Sequence, residues 1–384
     1  MRIGVDVRVL MDKHYSGISE YTANLLDALL RISRDDQWRL FYNSWDDLSD
    51  RMAVWQKDNT LVRASRWPNK IFNYALQKGI NYPKLDQFLG GVDVFWSPHF
   101  NFTSLSPRPS GPKKIITVHD LSFLRYPEYF SVRKNIWHRS LGVVKAIKET
   151  EAVVAVSENT KQDIIELTGI PAEKVKVIYS GKNVSGKNVS ADVCDEVRKK
   201  FGIGHNFLLY VGNIEPRKNI AGLIAAFNIL KSFQDSLFFK TELVIAGAPG
   251  WKNRRIYQAW RTSPYRSSIK FLGYVDQAEK EALYSSAKVF VYPSFYEGFG
   301  FPPLEAMTYG LPVVCSHASS LPEVVGRAAV MVNPYKPEEI AYGIREIMVD
   351  DRLREDLISR GCQRSGLFSW DRAATEYLSV FRGL

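Results

Sequence analysis

The sequence predicts an α/β protein made of two Rossmann-like, doubly wound domains facing a cleft, and three observations carry that expectation. Strand-like apolar runs alternate with helical ones from one end of the chain to the other, the pattern that parallel sheets flanked by helices produce. A polar, Gly-bearing stretch near residues 180–205 separates two such series, and Ser-Gly-Lys-Asn-Val stands in it twice in tandem, at 180–184 and 185–189. The length of 384 residues is enough for two or three domains, each with a core of its own.

In the first series, strands are expected at Ile3–Val9, Arg39–Asn43, Val92–Ser97, Lys114–His119, Val153–Ser157 and Val175–Tyr179. Between them Tyr21, Leu25, Leu29 and Leu30 form one apolar helical face, and Asn159 to Leu167 form another. The second series places strands at Phe207–Val211, Leu243–Ala246, Ile269–Tyr274, Val289–Tyr292, Val313–Ser316 and Ala329–Val332. The helix after its first strand shows Ile220, Leu223, Ile224, Phe227 and Leu230 at helical spacing. The domains are expected at 1–183 and 190–367, with an amphipathic helix closing the chain at 368–384. Doubly wound sheets bind ligands beyond the C-terminal ends of their strands, so the cleft between the halves is the expected site.

Composition excludes several classes. Hydrophobic content of 45% and charged content of 24% are ordinary for a soluble globular protein. No apolar stretch is long enough to span a bilayer, and the N-terminus enters a strand without a signal-peptide pattern. Cys194, Cys315 and Cys362 are widely spaced, which suits a reducing cytoplasm and not a metal site. The formal charge of +10 suits nucleic acid, an anionic membrane or a phosphorylated substrate. No helix-turn-helix, zinc-finger or aromatic RNA-binding pattern supports nucleic acid. Residues 125–149 carry Arg125, Arg133, Lys134, Arg139, Lys145 and Lys148, interleaved with Tyr126, Tyr129, Phe130 and Trp137. Such a basic helix reads either as a membrane-surface element or as a solvated face over a core stripe.

The chemistry concentrates in Glu297-Gly-Phe-Gly-Phe-Pro-Pro-Leu-Glu305, directly after the strand at 289–292. Gly298 and Gly300 leave the backbone around Phe299 bare to a ligand. The prolines fit the first turn of a helix, whose N-terminus favours an anion. Two carboxylates in a place that favours phosphate are best explained as hydroxyl acceptors, so the natural ligand is a nucleoside diphosphate sugar. Arg217 and Lys218, in Gly212-Asn-Ile-Glu-Pro-Arg-Lys-Asn219, stand at the matching strand–helix turn after 207–211. Cations there can neutralise a diphosphate leaving group. His119 and Asp120 end the strand at 114–119, and His99 is placed similarly in Ser97-Pro-His-Phe-Asn101.

Glu-x7-Glu behind a strand, with Gly-Phe-Gly and Pro-x-x-Glu-Ala inside it, closely resembles the donor loop of the retaining glycosyltransferases of family 4, which have the GT-B fold. The resemblance runs from Gly17, in a Gly-Ile-x-x-Tyr-Thr loop, to the last helix, which in the family crosses back onto the first domain. It implies that Glu297 and the N–H groups of Gly298, Phe299 and Gly300 meet the sugar and phosphates. Glu305 would hold the ribose, and Arg217 with Lys218 the diphosphate. Gly17 would approach the phosphates, and His119 and Asp120 would lie beside the sugar; His99, from its similar place at a strand end, is read as lining the acceptor side. Many members carry an arginine where Asn213 stands, which puts the number of cationic contacts in doubt. The Gly212–Asn219 element and Ala246-Gly-Ala-Pro-Gly-Trp251-Lys look most like bacterial polysaccharide mannosyltransferases. The implied reaction is therefore hexose transfer, with GDP-mannose as leading donor and a lipid-linked saccharide or lipopolysaccharide precursor at the inner membrane face as acceptor. No metal or other cofactor is expected. The alternatives are a sugar-nucleotide epimerase of the same fold and a sugar-nucleotide binding protein without turnover.

Overall fold

The computed structural model describes residues 1–11, 16–77, 82–107, 109–184, 189–233 and 235–384. His14 and Tyr15 of the first loop and most of the second tandem copy lie outside them. The chain divides into two compact units. The first comprises Met1–Leu121, Ile136–Gly181 and Ser369–Leu384; the second comprises Ser122–Asn135 and Lys182–Phe368.

The first unit holds β1 (Arg2–Asp6), β2 (Gln37–Asn43), β3 (Thr60–Ser65), β4 (Val94–Ser97), β5 (Lys113–Val118), β6 (Ala152–Ala155) and β7 (Val175–Val177). They form a sheet in the order β3-β2-β1-β4-β5-β6-β7, parallel throughout. Burial on both faces explains the unbroken apolar runs of β4 and β6. Thr60–Ser65 has no counterpart among the expected strands. It is an edge strand whose side chains are mostly half-exposed or exposed, so it carries no apolar run to read.

The second unit holds β8 (Phe207–Val211), β9 (Glu242–Ala246), β10 (Ile269–Gly273), β11 (Val289–Tyr292), β12 (Val313–Ser316) and β13 (Ala329–Val332). Their order is β10-β9-β8-β11-β12-β13, again parallel. The helix Ile220–Ser232 lays Leu223, Ile224, Phe227 and Leu230 into the core of this unit.

The closing helix, Trp370–Arg382, belongs to the first unit. Its Tyr377 hydroxyl lies 2.8 Å from the Tyr21 hydroxyl and 2.6 Å from Thr117 Oγ1, all three buried. Gly181 makes the approach to that helix possible, because a Cβ there would stand 2.5 Å from the Trp370 ring.

The basic stretch 125–149 departs from expectation in two ways. It is not one helix: a 3-10 turn at Pro127–Tyr129 precedes the helix Val132–Ser140, and Gly142, at φ +59°, separates that from Val143–Lys148. In addition, residues 122–135 pack with the second unit, so 1–183 is not one continuous domain. The cause is aromatic. Phe130 stacks on Trp251 with centroids 5.6 Å apart, Trp251 Nε1 donates to the Tyr129 carbonyl at 2.7 Å, and Tyr129 stacks on Phe295. Lys134 Nζ sits 3.2 Å from the centre of the Trp251 ring, and burial lowers its pKa. No helix among the described residues is long and apolar enough to cross a membrane.

Candidate functional site

In the second sheet, β8 is flanked by β9 on one side and β11 on the other, so successive crossovers leave β8 in opposite directions. A crevice opens at the C-terminal ends of such a pair. Arg217 and Lys218 lie in the turn after β8, and Glu297 lies in the loop after β11. The sheet order therefore brings together residues that the sequence separates by almost eighty positions.

Glu297 is buried and bridges both cations. Lys218 Nζ donates to its two carboxylate oxygens at 2.7 and 2.9 Å, and Arg217 Nη1 donates to Oε2 at 3.0 Å. Arg217 also donates from Nη2 to Glu215 at 2.9 Å and from Nη1 to the Tyr296 carbonyl at 2.6 Å. Lys218 Nζ donates to the Tyr292 hydroxyl at 2.7 Å. Burial alone would raise the Glu297 pKa, but the charges of Lys218 and Arg217 outweigh it and hold the carboxyl at about 2. Burial pulls Lys218 below the ordinary lysine range, opposed by Glu297. Two cations and two carboxylates thus form one compact buried group. The loop that carries Glu297 is itself pinned: its N–H donates to Ser319 Oγ at 2.8 Å, and Ser320 Oγ donates to the carbonyls of Glu297 and Phe299.

Gly300, at φ +119°, precedes the helix Phe301–Thr308, which the two prolines open as expected. The backbone angle favours glycine here, and a Cβ at Gly300 would also press within 2.8 Å of the Leu321 side chain. Glu305 lies beyond the first turn of this helix and is buried. Tyr284 donates to its Oε2 at 3.0 Å, and Lys280 Nζ lies 3.3 Å from the same oxygen.

A family model described as "Glycosyl transferases group 1" matches residues 194–364, and "Glycosyltransferase Family 4" matches residues 15–185. The O-antigen chain mannosyltransferase B of Escherichia coli is 32% identical over 271 residues, 70% of each chain. The chain belongs to the family 4 glycosyltransferases. A serotype-specific mannosyltransferase of Escherichia coli, WbdA, is 31% identical over 75% of this chain, which spans only 36% of that longer protein. The crystal structure of Anabaena Alr3699/HepE in complex with UDP and glucose superposes with a TM-score of 0.74 at 18% identity, both chains being fully covered. The fold is thus GT-B, and the protein is a glycosyltransferase.

The residues that the sequence nominated divide between the units of this glycosyltransferase. The second unit holds Asn213, Arg217, Lys218, Glu297, Gly298, Phe299, Gly300 and Glu305; the first holds Gly17, His99, His119 and Asp120. Asn213 is exposed, whereas Phe299 is buried. Gly17 opens the helix Gly17–Ile32, and among the described residues no atom outside its own turn lies within 4 Å of where a Cβ would stand. His119 Nε2 lies 2.8 Å from the Pro98 carbonyl, so that nitrogen carries the proton and donates to main chain, leaving Nδ1 as acceptor. Burial lowers His119 to about 4 and His99 to about 3, so both are neutral at pH 7.

Four contributors escaped the sequence reading. Tyr292 looked like one more core residue of β11, and Glu215 lay unassigned inside a quoted motif. Lys280 and Tyr284 stand four apart on the helix Gln277–Ser286 and therefore share a face, but nothing local ties that face to Glu305.

Proposed function

We propose that this glycosyltransferase moves mannose from GDP-mannose, with retention of anomeric configuration, to a hydroxyl of a lipid-linked saccharide or lipopolysaccharide precursor. The observation that carries the reading is the buried group Arg217–Lys218–Glu297 at the crevice of β8 and β11, with Glu305 on the following helix. Arg217 and Lys218 serve the diphosphate, Glu297 accepts from sugar hydroxyls, and Glu305 accepts from the ribose. The names of the Escherichia coli relatives support mannose and a polysaccharide acceptor.

The acceptor oxygen attacks the anomeric carbon as the bond to the diphosphate oxygen breaks. The leaving group departs with the bonding electron pair, and the acceptor's proton passes to it or to water. Positive charge already fixed in place stabilises that departing oxygen without further reorganisation. Since Arg217 and Lys218 supply this charge, the reaction proceeds without a metal ion. Exposed Arg133 and Arg139 favour peripheral contact with an anionic inner membrane.

Incubation of a mannoside acceptor with a panel of nucleotide sugars, following free GDP and UDP with and without EDTA, tests the donor and the metal. Proton NMR of the product gives the anomer. Release of UDP but not GDP would overturn the donor, an inverted product the retention, and loss of turnover with EDTA the metal independence.

A further inference from the structure

The loop after β11 has a strand end on either side. In the order β8-β11-β12, the turn after β8 brings Arg217 and Lys218, and the loop after β12 brings Ser319 and Ser320. Side chains from these neighbours hold the loop carbonyl by carbonyl. Asn219 Nδ2 donates to the Pro293 carbonyl at 3.1 Å, Ser316 Oγ to that of Ser294 at 2.6 Å, and Arg217 Nη1 to that of Tyr296 at 2.6 Å. Ser320 Oγ serves two carbonyls, Glu297 at 3.0 Å and Phe299 at 2.7 Å.

Ser320 stands directly before the helix Leu321–Val325, where a serine hydroxyl ordinarily accepts from the first N–H groups of the helix. It makes no such bond here. Its side chain is fully buried, and the hydroxyl is turned to the neighbouring loop instead. Ser319 adopts left-handed backbone at φ +55° and sets its Oγ against the Glu297 N–H. A serine in that conformation is strained, and such strain persists only where the surroundings enforce it.

Peptide geometry carries this hold over to the amides. A trans peptide unit is planar, with its C=O and N–H pointing in opposite directions. The carbonyls of Glu297 and Phe299 converge on Ser320, so the N–H groups of Gly298 and Gly300, in the same two peptide units, point away from it.

We propose that Ser320 is a positioning residue, which fixes these two peptide units and so aims the Gly298 and Gly300 amides at the diphosphate, on the side of Arg217 and Lys218. The proposal deepens the donor reading above and rests on it. Donors held in place beforehand act on charge as it develops on the departing phosphate. Ser320 therefore governs turnover more than binding, and it acts through the loop and not by contact with the donor.

Glu297-Gly298 is the one Glu–Gly pair in the chain. Protein labelled with 13C-carbonyl glutamate and 15N-glycine therefore gives one filtered NMR signal, that of the Gly298 amide. Adding GDP or UDP to the wild type should shift it. In Ser320→Ala the shift should be lost, and kcat with the nucleotide sugar that the panel selects should fall by about tenfold or more. Affinity for the same nucleotide by calorimetry should change by less than about threefold, which also shows that the variant folds. Ser320→Thr keeps the hydroxyl and should recover both the shift and kcat. Nucleotide bound by calorimetry with an unmoved wild-type signal would overturn the proposal whether or not a variant folds. So would a Ser320→Ala protein that keeps the shift and kcat, or a Thr variant as impaired as the Ala one. Binding of neither nucleotide would instead sink the donor reading, and the proposal with it.

Discussion

The crevices of the two sheets share a topology and differ in how many ionic groups they hold. Beyond β8 and β11, two cations and two carboxylates are buried together, with Glu297 bound by Lys218 and Arg217 at once. Beyond β1 and β4, Arg8 is closed onto Asp6, and amides and an indole line the rest. A doubly wound sheet therefore dictates where a ligand sits and leaves its chemistry to a few residues at the strand ends.

The largest effects should come from opening either ionic group. Glu297→Ala would leave Arg217 and Lys218 buried without their shared carboxylate, and Asp6→Ala would strand Arg8. Each is expected to lower unfolding stability by about 3–5 kcal/mol in urea titrations. Only Glu297→Ala should also abolish the slow hydrolysis of GDP-mannose, with water in the acceptor's place, to mannose and GDP; loss in both would erase the contrast between the crevices. The Glu297 pairing also makes stability depend on pH. Its folded pKa of about 2 lies below the ordinary value of 4.5. The stabilisation is therefore complete above 4.5 and is lost as the pH falls toward 2. Glu297→Gln should flatten that acid limb, and an unchanged limb would mean that other carboxylates control it.

Lys218→Ala is expected to lower kcat by about 10²–10³-fold, the typical loss when one stabilising donor is removed from a developing negative charge. The donor KM should change much less. A raised KM with intact kcat would reduce Lys218 to ground-state binding. Glu305→Gln should weaken GDP binding by roughly 1.5–3 kcal/mol through loss of a charged acceptor, read by calorimetry. Equal affinity would leave Glu305 as a structural partner of Lys280 and Tyr284 alone.

The smallest effect concerns the basic stretch. Arg133→Gln with Arg139→Gln should reduce pelleting with anionic vesicles at low salt by about 1 kcal/mol per charge. Lys134→Gln should do less to pelleting and should instead change Trp251 fluorescence, because its ammonium is already seated on that ring. Equal pelleting by wild type and the double variant would return these arginines to a plain solvated face.

Much of this was legible in the chain. Strands that are buried on both faces, such as β8, β11 and β12, declare themselves as short apolar runs, and the half-buried edge strand β13 keeps an apolar sequence, whereas the half-exposed edge strand Thr60–Ser65 alternates and was not found. Gly300 and the prolines after it signalled a tight turn into a helix, because those residues have few other uses in such an order. The family loop nominated Arg217, Lys218, Glu297 and Glu305, since each sits in or beside a local pattern. Tertiary structure decided what no local pattern can hold. Sheet order set Glu297 against Lys218, and helix packing brought Lys280 and Tyr284 to Glu305. Aromatic stacking carried residues 122–135 to Trp251 and the second unit. A run of side chains encodes which face is apolar and where the backbone turns. Pair energies between charges and rings depend on distance, and distances across a sheet exist only once its strands are in order.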